Sequence, residues 1–271
     1  MYEPRAELWD ALYSALMDAT DGAVLAYQDR VRVGFASFRG PFTTGVAETN
    51  PSCAQIETVG SVNPATVAPA IDNRAAIDAV YRALGEQATA AMGVLMDGGA
   101  LKWETPTGHA LNRVTTTLAA FNPNPAGRKY IFLLTSGDPN TCLVSDPQCG
   151  QDLSVKAAQD ARVLGITTLI LGFGDVAGAT PCDSGGLPCG VRHLQDMANA
   201  GTARPVETPP PTYWYQACPT RESGTNPGLP RAAYVPAGMG GTAEYYSGAG
   251  RTALRAELMA MFEKVVNGSV P

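Results

Sequence analysis

The sequence predicts an α/β domain with a mostly parallel sheet, on three observations. Strand-like and helix-like segments alternate from about Arg30 to the end of the chain. Two strand-like segments, KYIFLLT (Lys129–Thr135) and ITTLILGFG (Ile166–Gly174), are continuous apolar runs, the pattern of parallel strands covered on both faces. The segments between them carry apolar residues at helical spacing, as crossover connections require. The 271 residues are 45% hydrophobic and 16% charged, enough for one large core and opposed to disorder. No internal repeat and no second core is visible, so residues 1–271 read as a single domain.

The elements follow in order. Glu7 to Met17 places Leu8, Leu12, Leu16 and Met17 on one helical face, with Trp9 and Tyr13 alongside. RVRVGFASF (Arg30–Phe38) alternates with period two and reads as a strand, and a weaker strand near Gln55 to Val59 would return as its hairpin partner. Ala70 to Met92 reads as a long Ala-rich helix, and Thr107 to Phe121 as a second with Leu111, Val114 and Leu118 as its stripe. After KYIFLLT come a helix over Asp152 to Leu164, the strand ITTLILGFG, and a short helix over Val191 to Ala200. Residues from about 204 to 242 are rich in Pro, Gly and Thr without periodicity and read as a loop insertion. AEYYS (Ala243–Ser247) reads as an edge strand, and Leu254 to Val266 as a closing amphipathic helix.

A net charge of −6 and a pI near 5.0 exclude the basic footprint of a nucleic-acid binder. No run of eighteen apolar residues exists to span a bilayer. The six cysteines, Cys53, Cys142, Cys149, Cys182, Cys189 and Cys218, lack the paired spacing of a zinc knuckle. Cys142/Cys149 and Cys182/Cys189 each bracket a short segment of loop composition, so local disulfides are the favoured reading, with Cys53 and Cys218 left over. Other connectivities, and six reduced thiols, stay open. An even number of loop cysteines points to an oxidising compartment.

Ligand sites in open α/β sheets form beyond the carboxyl ends of the strands. Two segments would lie there: ETPTGHAL (Glu104–Leu111), which opens a helix, and LLTSGDPNTC (Leu133–Cys142), which ends a strand. With Thr105-Pro106-Thr107-Gly108, LLTSG, ILGFG and HLQDMANAG in that order, and with WDALYSAL and VRVGFASF ahead of them, the chain resembles the von Willebrand factor A (vWA) family from Trp9 to Val266. The resemblance implies a Rossmann-like fold, a mostly parallel sheet with helices on both faces. It also implies a protein-binding or adhesion module rather than an enzyme. In that family Ser and Thr hydroxyls hold Mg²⁺ while aspartates act mainly through bound water. The metal stays net positive, and an acidic side chain of a protein partner fills its open position.

The chain departs from the family pattern twice. The D-x-S-x-S motif that ends the family's first, central strand is absent, and Met1 followed by YEPRAELWDAL matches what normally comes after it. The expectation is therefore a chain lacking that strand. The natural start and a signal sequence would lie upstream, and the location would be extracellular, cell-surface or periplasmic. Strand edges left unpaired by the gap would make the chain marginally stable. Secondly, Ser136 stands where the family has the aspartate of T-D-G, with Asp138 two residues on. The candidate metal ligands are thus Thr105, Ser136 and Asp138, an incomplete set, and Mg²⁺ is expected in the intact protein only.

Among other residues, His109 and His193 read as capping or surface histidines. Ser136 is not in a G-x-S-x-G elbow, and GFGDVAG lacks nucleotide-loop spacing. Asp138 and Asp146 read as solvated turn residues before a calcium site. Trp214, with Tyr213 and Tyr215, is either an exposed contact patch or a pin for the insertion. The function classes that remain are a metal-dependent vWA-type binding module, a degenerate metal-independent interaction domain, and a small α/β hydrolase, in that order.

Overall fold

A computed structural model describes residues 3–40, 53–59, 62–96, 105–136, 139, 141, 147–174, 189–208 and 232–270. Where the sequence reads as one domain, the chain gathers into two compact units. One comprises Met1–Thr43, Gln55–Trp103 and Ser247–Pro271; the other comprises Thr44–Ala54 and Glu104–Tyr246.

The first unit grows from the apolar stripe of its first helix, α1 (Glu3–Met17), which buries Leu12, Ala15, Leu16 and Met17. The helix ends in a turn built by Asp18. Its carboxylate accepts the Thr20 backbone N–H (2.8 Å), the Thr20 hydroxyl (2.7 Å) and the Asp21 N–H (3.3 Å). These bonds, the Thr20 backbone N–H foremost, hold the Asp18 carboxyl well below the usual carboxylate range. Gly22 closes the turn, because a Cβ there would lie 2.6–2.7 Å from backbone atoms of Asp18 and Leu16. The short helix α2 (Ala23–Tyr27) follows.

Strand β1 (Val33–Ala36) pairs antiparallel with β2 (Thr66–Ala70). The sequence assigned β1's partner to Gln55–Val59, but that stretch makes only the isolated bridges Arg39↔Gln55 and Val59↔Val62. The register shifts between Val33 and Phe35, at Gly34, whose absent Cβ would lie 2.9 Å from both the Pro69 Cγ and the Val67 carbonyl. A proline is tolerated in an edge strand or at a bulge, and here it faces a glycine. The Asn73 amide donates to the carbonyls of Val33 (2.7 Å) and Ala68 (2.8 Å), tying the hairpin to the start of α3 (Arg74–Met96).

Tyr81 of α3 is the hub of this core, 1% exposed. Its ring lies 4.3 Å from Trp9, 5.3 Å from Tyr13 and 5.5 Å from Phe35, and its hydroxyl donates to the Trp9 carbonyl at 3.2 Å. Burial raises its pKa. A helix over Gly250–Val266 buries Leu254, Leu258, Met261 and Phe262 at helical spacing and stacks Phe262 on Tyr27 at 5.1 Å.

The second unit is layered around two parallel strands. Helix α4 (Thr107–Ala120) leads into β3 (Lys129–Thr135), α5 (Pro147–Val163) crosses over to β4 (Ile166–Phe173), and α6 (Cys189–Gly201) follows. β3 and β4 pair in unbroken parallel register from Lys129↔Ile166 to Thr135↔Gly172. The order β3-β4-β5, with β5 at Tyr246–Gly248, puts β4 in the centre. All eight residues of β4 are buried, as its apolar run predicts. β3 differs from expectation: only Ile131 and Leu133 are buried, because it stands last in the described sheet. Among the described residues no strand joins the β1–β2 pair to β3.

Several boundaries are corrected. Cys149, read as a loop residue, lies in the first turn of α5, and Cys189, also assigned to a loop, opens α6. Of the segment read as an insertion at 204–242, the described flanks are bonded to each other. Glu207 bridges Val235 in parallel, Val235 N–H donates to the Val206 carbonyl (2.8 Å), and Thr208 N–H donates to that of Val235 (2.9 Å). His193, read as a capping or surface residue, is 4% exposed within α6. That helix also buries Leu194, Asp196, Met197, Ala198 and Asn199, so it is covered over most of its circumference and takes polar side chains inside with it.

Candidate functional site

The carboxyl end of the β3–β4 pair is where a parallel sheet offers a site. Ser136 follows β3 directly and is half-buried. The Lys129 ammonium, at the start of β3, donates to the Ala119 carbonyl at the end of α4 (2.9 Å). α5 ends just before β4 and packs along it, so its first half, with Leu153, lies toward the carboxyl end of the strands, and Gly108 in the first turn of α4 meets Leu153 there. Thr105 and Thr107 therefore lie toward the same end of the sheet as Ser136.

The turn into α4 is made by its own backbone. Thr107 N–H donates to the Thr105 carbonyl at 2.7 Å, the Thr107 hydroxyl to the same oxygen at 3.3 Å, and Ala110 N–H to the Pro106 carbonyl at 3.0 Å. Thr107 is 2% exposed and Thr105 half-buried. Gly108 fixes how closely α4 meets α5: a Cβ there would lie 2.7 Å from the Leu153 Cγ and 2.8–2.9 Å from its backbone carbonyl group. Gly108→Ala is expected to cost about 2 kcal/mol by overpacking, read as a lower urea midpoint. Gly127→Ala, with nothing within 4 Å, is the control that should not move.

Beside Leu153, Asp152 is 2% exposed. One carboxylate oxygen accepts the Tyr234 hydroxyl (2.9 Å) and the Ala232 N–H (3.4 Å), and the neighbouring Gln159 exchanges hydrogen bonds with the backbone of Ala233. A buried carboxyl group needs such partners. Asp152→Ala should therefore destabilise by roughly 2 kcal/mol and raise hydrogen exchange in residues 232–235, whereas an exchange map unchanged there would contradict the tie. On α6, Asn199 performs a similar task. Its amide oxygen accepts Ala243 N–H (2.8 Å) and the Gln195 amide (3.2 Å), and its nitrogen donates to the Gly241 carbonyl (2.9 Å). No sequence motif singled out Asp152 or Tyr234, and Asn199 falls at an unspecified position of HLQDMANAG; their roles come from tertiary contacts, which residue type alone does not reveal.

Cys53 and Cys149 are buried and each is disulfide-bonded. Cys142, Cys182 and Cys218 lie outside the described residues, as does the side chain of Cys189, so the connectivity does too. The Arg113 guanidinium donates to the Ala54 carbonyl (2.8 Å) and holds the segment that carries Cys53 against α4.

Of the three candidate metal ligands, the structure describes Thr105 and Ser136; Asp138 lies outside the described residues, with Asp146, Tyr213, Trp214 and Tyr215. Two hydroxyls alone fill only part of the octahedral oxygen shell that Mg²⁺ demands. No cluster of three or more His, Cys, Asp or Glu side chains suited to a metal occurs among the described residues. The described donors do not by themselves constitute a divalent-cation site.

The described histidine on α6 is held in one state. Burial pushes the His193 imidazole down to about 3, and its Nδ1 makes no hydrogen bond. No described helix is long and apolar enough to cross a membrane.

No family model matches the chain, and no curated protein matches it. A solved structure that does match is the pilus adhesin SpaC from Lactobacillus rhamnosus GG, with a TM-score of 0.46 and 12% sequence identity over 98% of this chain. The chain spans 28% of that protein's length, and a likeness of this degree establishes neither its fold family nor its activity.

Proposed function

We propose that the chain is a protein-binding module of the vWA type, with an incomplete metal site, which engages its partner at the carboxyl end of the β3–β4 pair. One observation carries the reading. The glycines of the two motifs on which the resemblance rests, Gly108 of T-P-T-G and Gly201 of HLQDMANAG, stand where any Cβ would strike a neighbouring element, Leu153 and Thr168 respectively. Motif glycines with a packing reason support the motifs as features of the fold rather than chance matches. The location proposed with it, outside the cytoplasm, is supported by the disulfide-bonded Cys53 and Cys149.

Ser136 in place of a carboxylate favours binding without metal, the second reading, and two measurements separate the possibilities. A photo-crosslinking residue at Ser136 should capture a protein from an extracellular extract. The same residue at exposed Leu164, at the opposite end of the sheet, should not. Equal capture at both positions would remove the proposed face. Capture abolished by EDTA and restored by Mg²⁺ would select the metal-dependent reading, and capture indifferent to EDTA the metal-independent one. A chain that hydrolyses model esters, with the activity lost in Ser136→Ala, would replace both by the hydrolase.

A further inference from the structure

The close of α7 (Gly250–Val266) holds a feature that the binding reading does not use. Asn267 is the C-cap of that helix, exposed, and is followed by Gly268 and Ser269. It is the one asparagine of the chain followed by glycine; five of the ten, Asn50, Asn63, Asn122, Asn124 and Asn226, precede proline. The distinction is chemical. An asparagine side chain is attacked by the backbone nitrogen of the next residue, and proline has no N–H to lose, while any Cβ on the next residue crowds the approach.

We propose that Asn267 is a spontaneous modification site, converted by deamidation into a mixture of aspartate and isoaspartate. The Gly268 nitrogen gives up its proton and bonds to Asn267 Cγ, and the side-chain nitrogen leaves as ammonia. The resulting five-membered succinimide is opened by one water, at either carbonyl, to a carboxylate. No oxidant, reductant or enzyme is required. The surroundings place few obstacles. Gly268 has φ +65°, and a Cβ on it would meet nothing within 4 Å. The last turn holds the attacking nitrogen in the helical arrangement: Gly268 N–H donates to the Val265 carbonyl at 3.3 Å, beside Asn267 N–H to Glu263 (2.9 Å) and Ser269 N–H to Lys264 (3.1 Å). Helix ends open readily, so this restraint slows the reaction without preventing it. Asn199, 1% exposed with its amide bonded on both sides, and Asn73, whose amide is bonded to two carbonyls, have no such freedom.

The product alters the fold locally. A carboxylate at position 267 sits at the negative end of the helix macrodipole, and isoaspartate lengthens the backbone by one carbon where the left-handed Gly268 closes the helix. Both loosen the turn that leads to Val270, which is 4% exposed.

The purified full chain, incubated in mildly alkaline buffer and digested for mass spectrometry at intervals, should show deamidation at Asn267 before any other asparagine. Its rate should be about tenfold below that of a free peptide of residues 262–271, the protection expected of a fraying helix end. Hydrogen exchange at residues 267–270 should rise in proportion to conversion, and the Asn267→Gln variant should show neither change. Another asparagine reacting first, or Asn267 intact after the peptide has fully converted, would overturn the proposal.

Discussion

Gly201→Ala should lower stability by about 3 kcal/mol, seen as a drop of roughly 1 M in the urea midpoint with an unchanged slope. The added methyl would lie 2.2 Å from the Thr168 carbonyl oxygen, 2.9 Å from its Cβ and 3.0 Å from its carbonyl carbon. None of these atoms is the loose end of a flexible side chain. Thr168 is 0% exposed in the middle of β4, and moving it would disturb a ladder in which every residue is buried. Alanine gains up to about 1 kcal/mol over glycine through helix propensity, which offsets only part of the clash. If Gly201→Ala unfolds no more easily than Gly127→Ala, α6 does not approach β4 as closely as described.

Acidification should destabilise the protein through His193. Unfolded, this imidazole titrates near its ordinary value of about 6.5; folded, burial pushes it down to about 3. Between those values the unfolded chain binds a proton that the folded chain refuses, so stability is fully present above about pH 6.5 and is lost as the pH falls toward 3. At pH 5 the loss from this one group is on the order of 2 kcal/mol. His193→Leu, close in size and without a proton to bind, should flatten the slope of stability against pH between 6.5 and 5. Parallel profiles for the two proteins would mean that His193 is solvated, or already protonated, in the folded state.

How much of this was legible in advance depends on what each residue type dictates alone. β3 and β4 emerge from the sequence almost to the residue, because an unbroken run such as KYIFLLT or ITTLILGF has few other ways to leave water. β2 does not, since Thr66–Ala70 contains a proline and has no alternation; it is a strand because Gly34 leaves room opposite Pro69. The environment of His193 was misread for a related reason. Helical periodicity finds a buried face when the other face is polar, but α6 is covered nearly all round, so His193, Asp196 and Asn199 go inside beside Leu194 and Met197. At the proposed binding face, Thr105 and Ser136 were readable from motifs, whereas Asp152 was not, since its partners Ala232 and Tyr234 come from about eighty residues away. Separation of that length leaves no local trace.

The pinned flanks at Glu207 and Val235 have a consequence for how the chain tolerates change. Two backbone segments bridged side by side through Val206, Thr208 and Val235 open together, so a substitution that frays one of them is expected to expose the other to exchange and proteolysis as well.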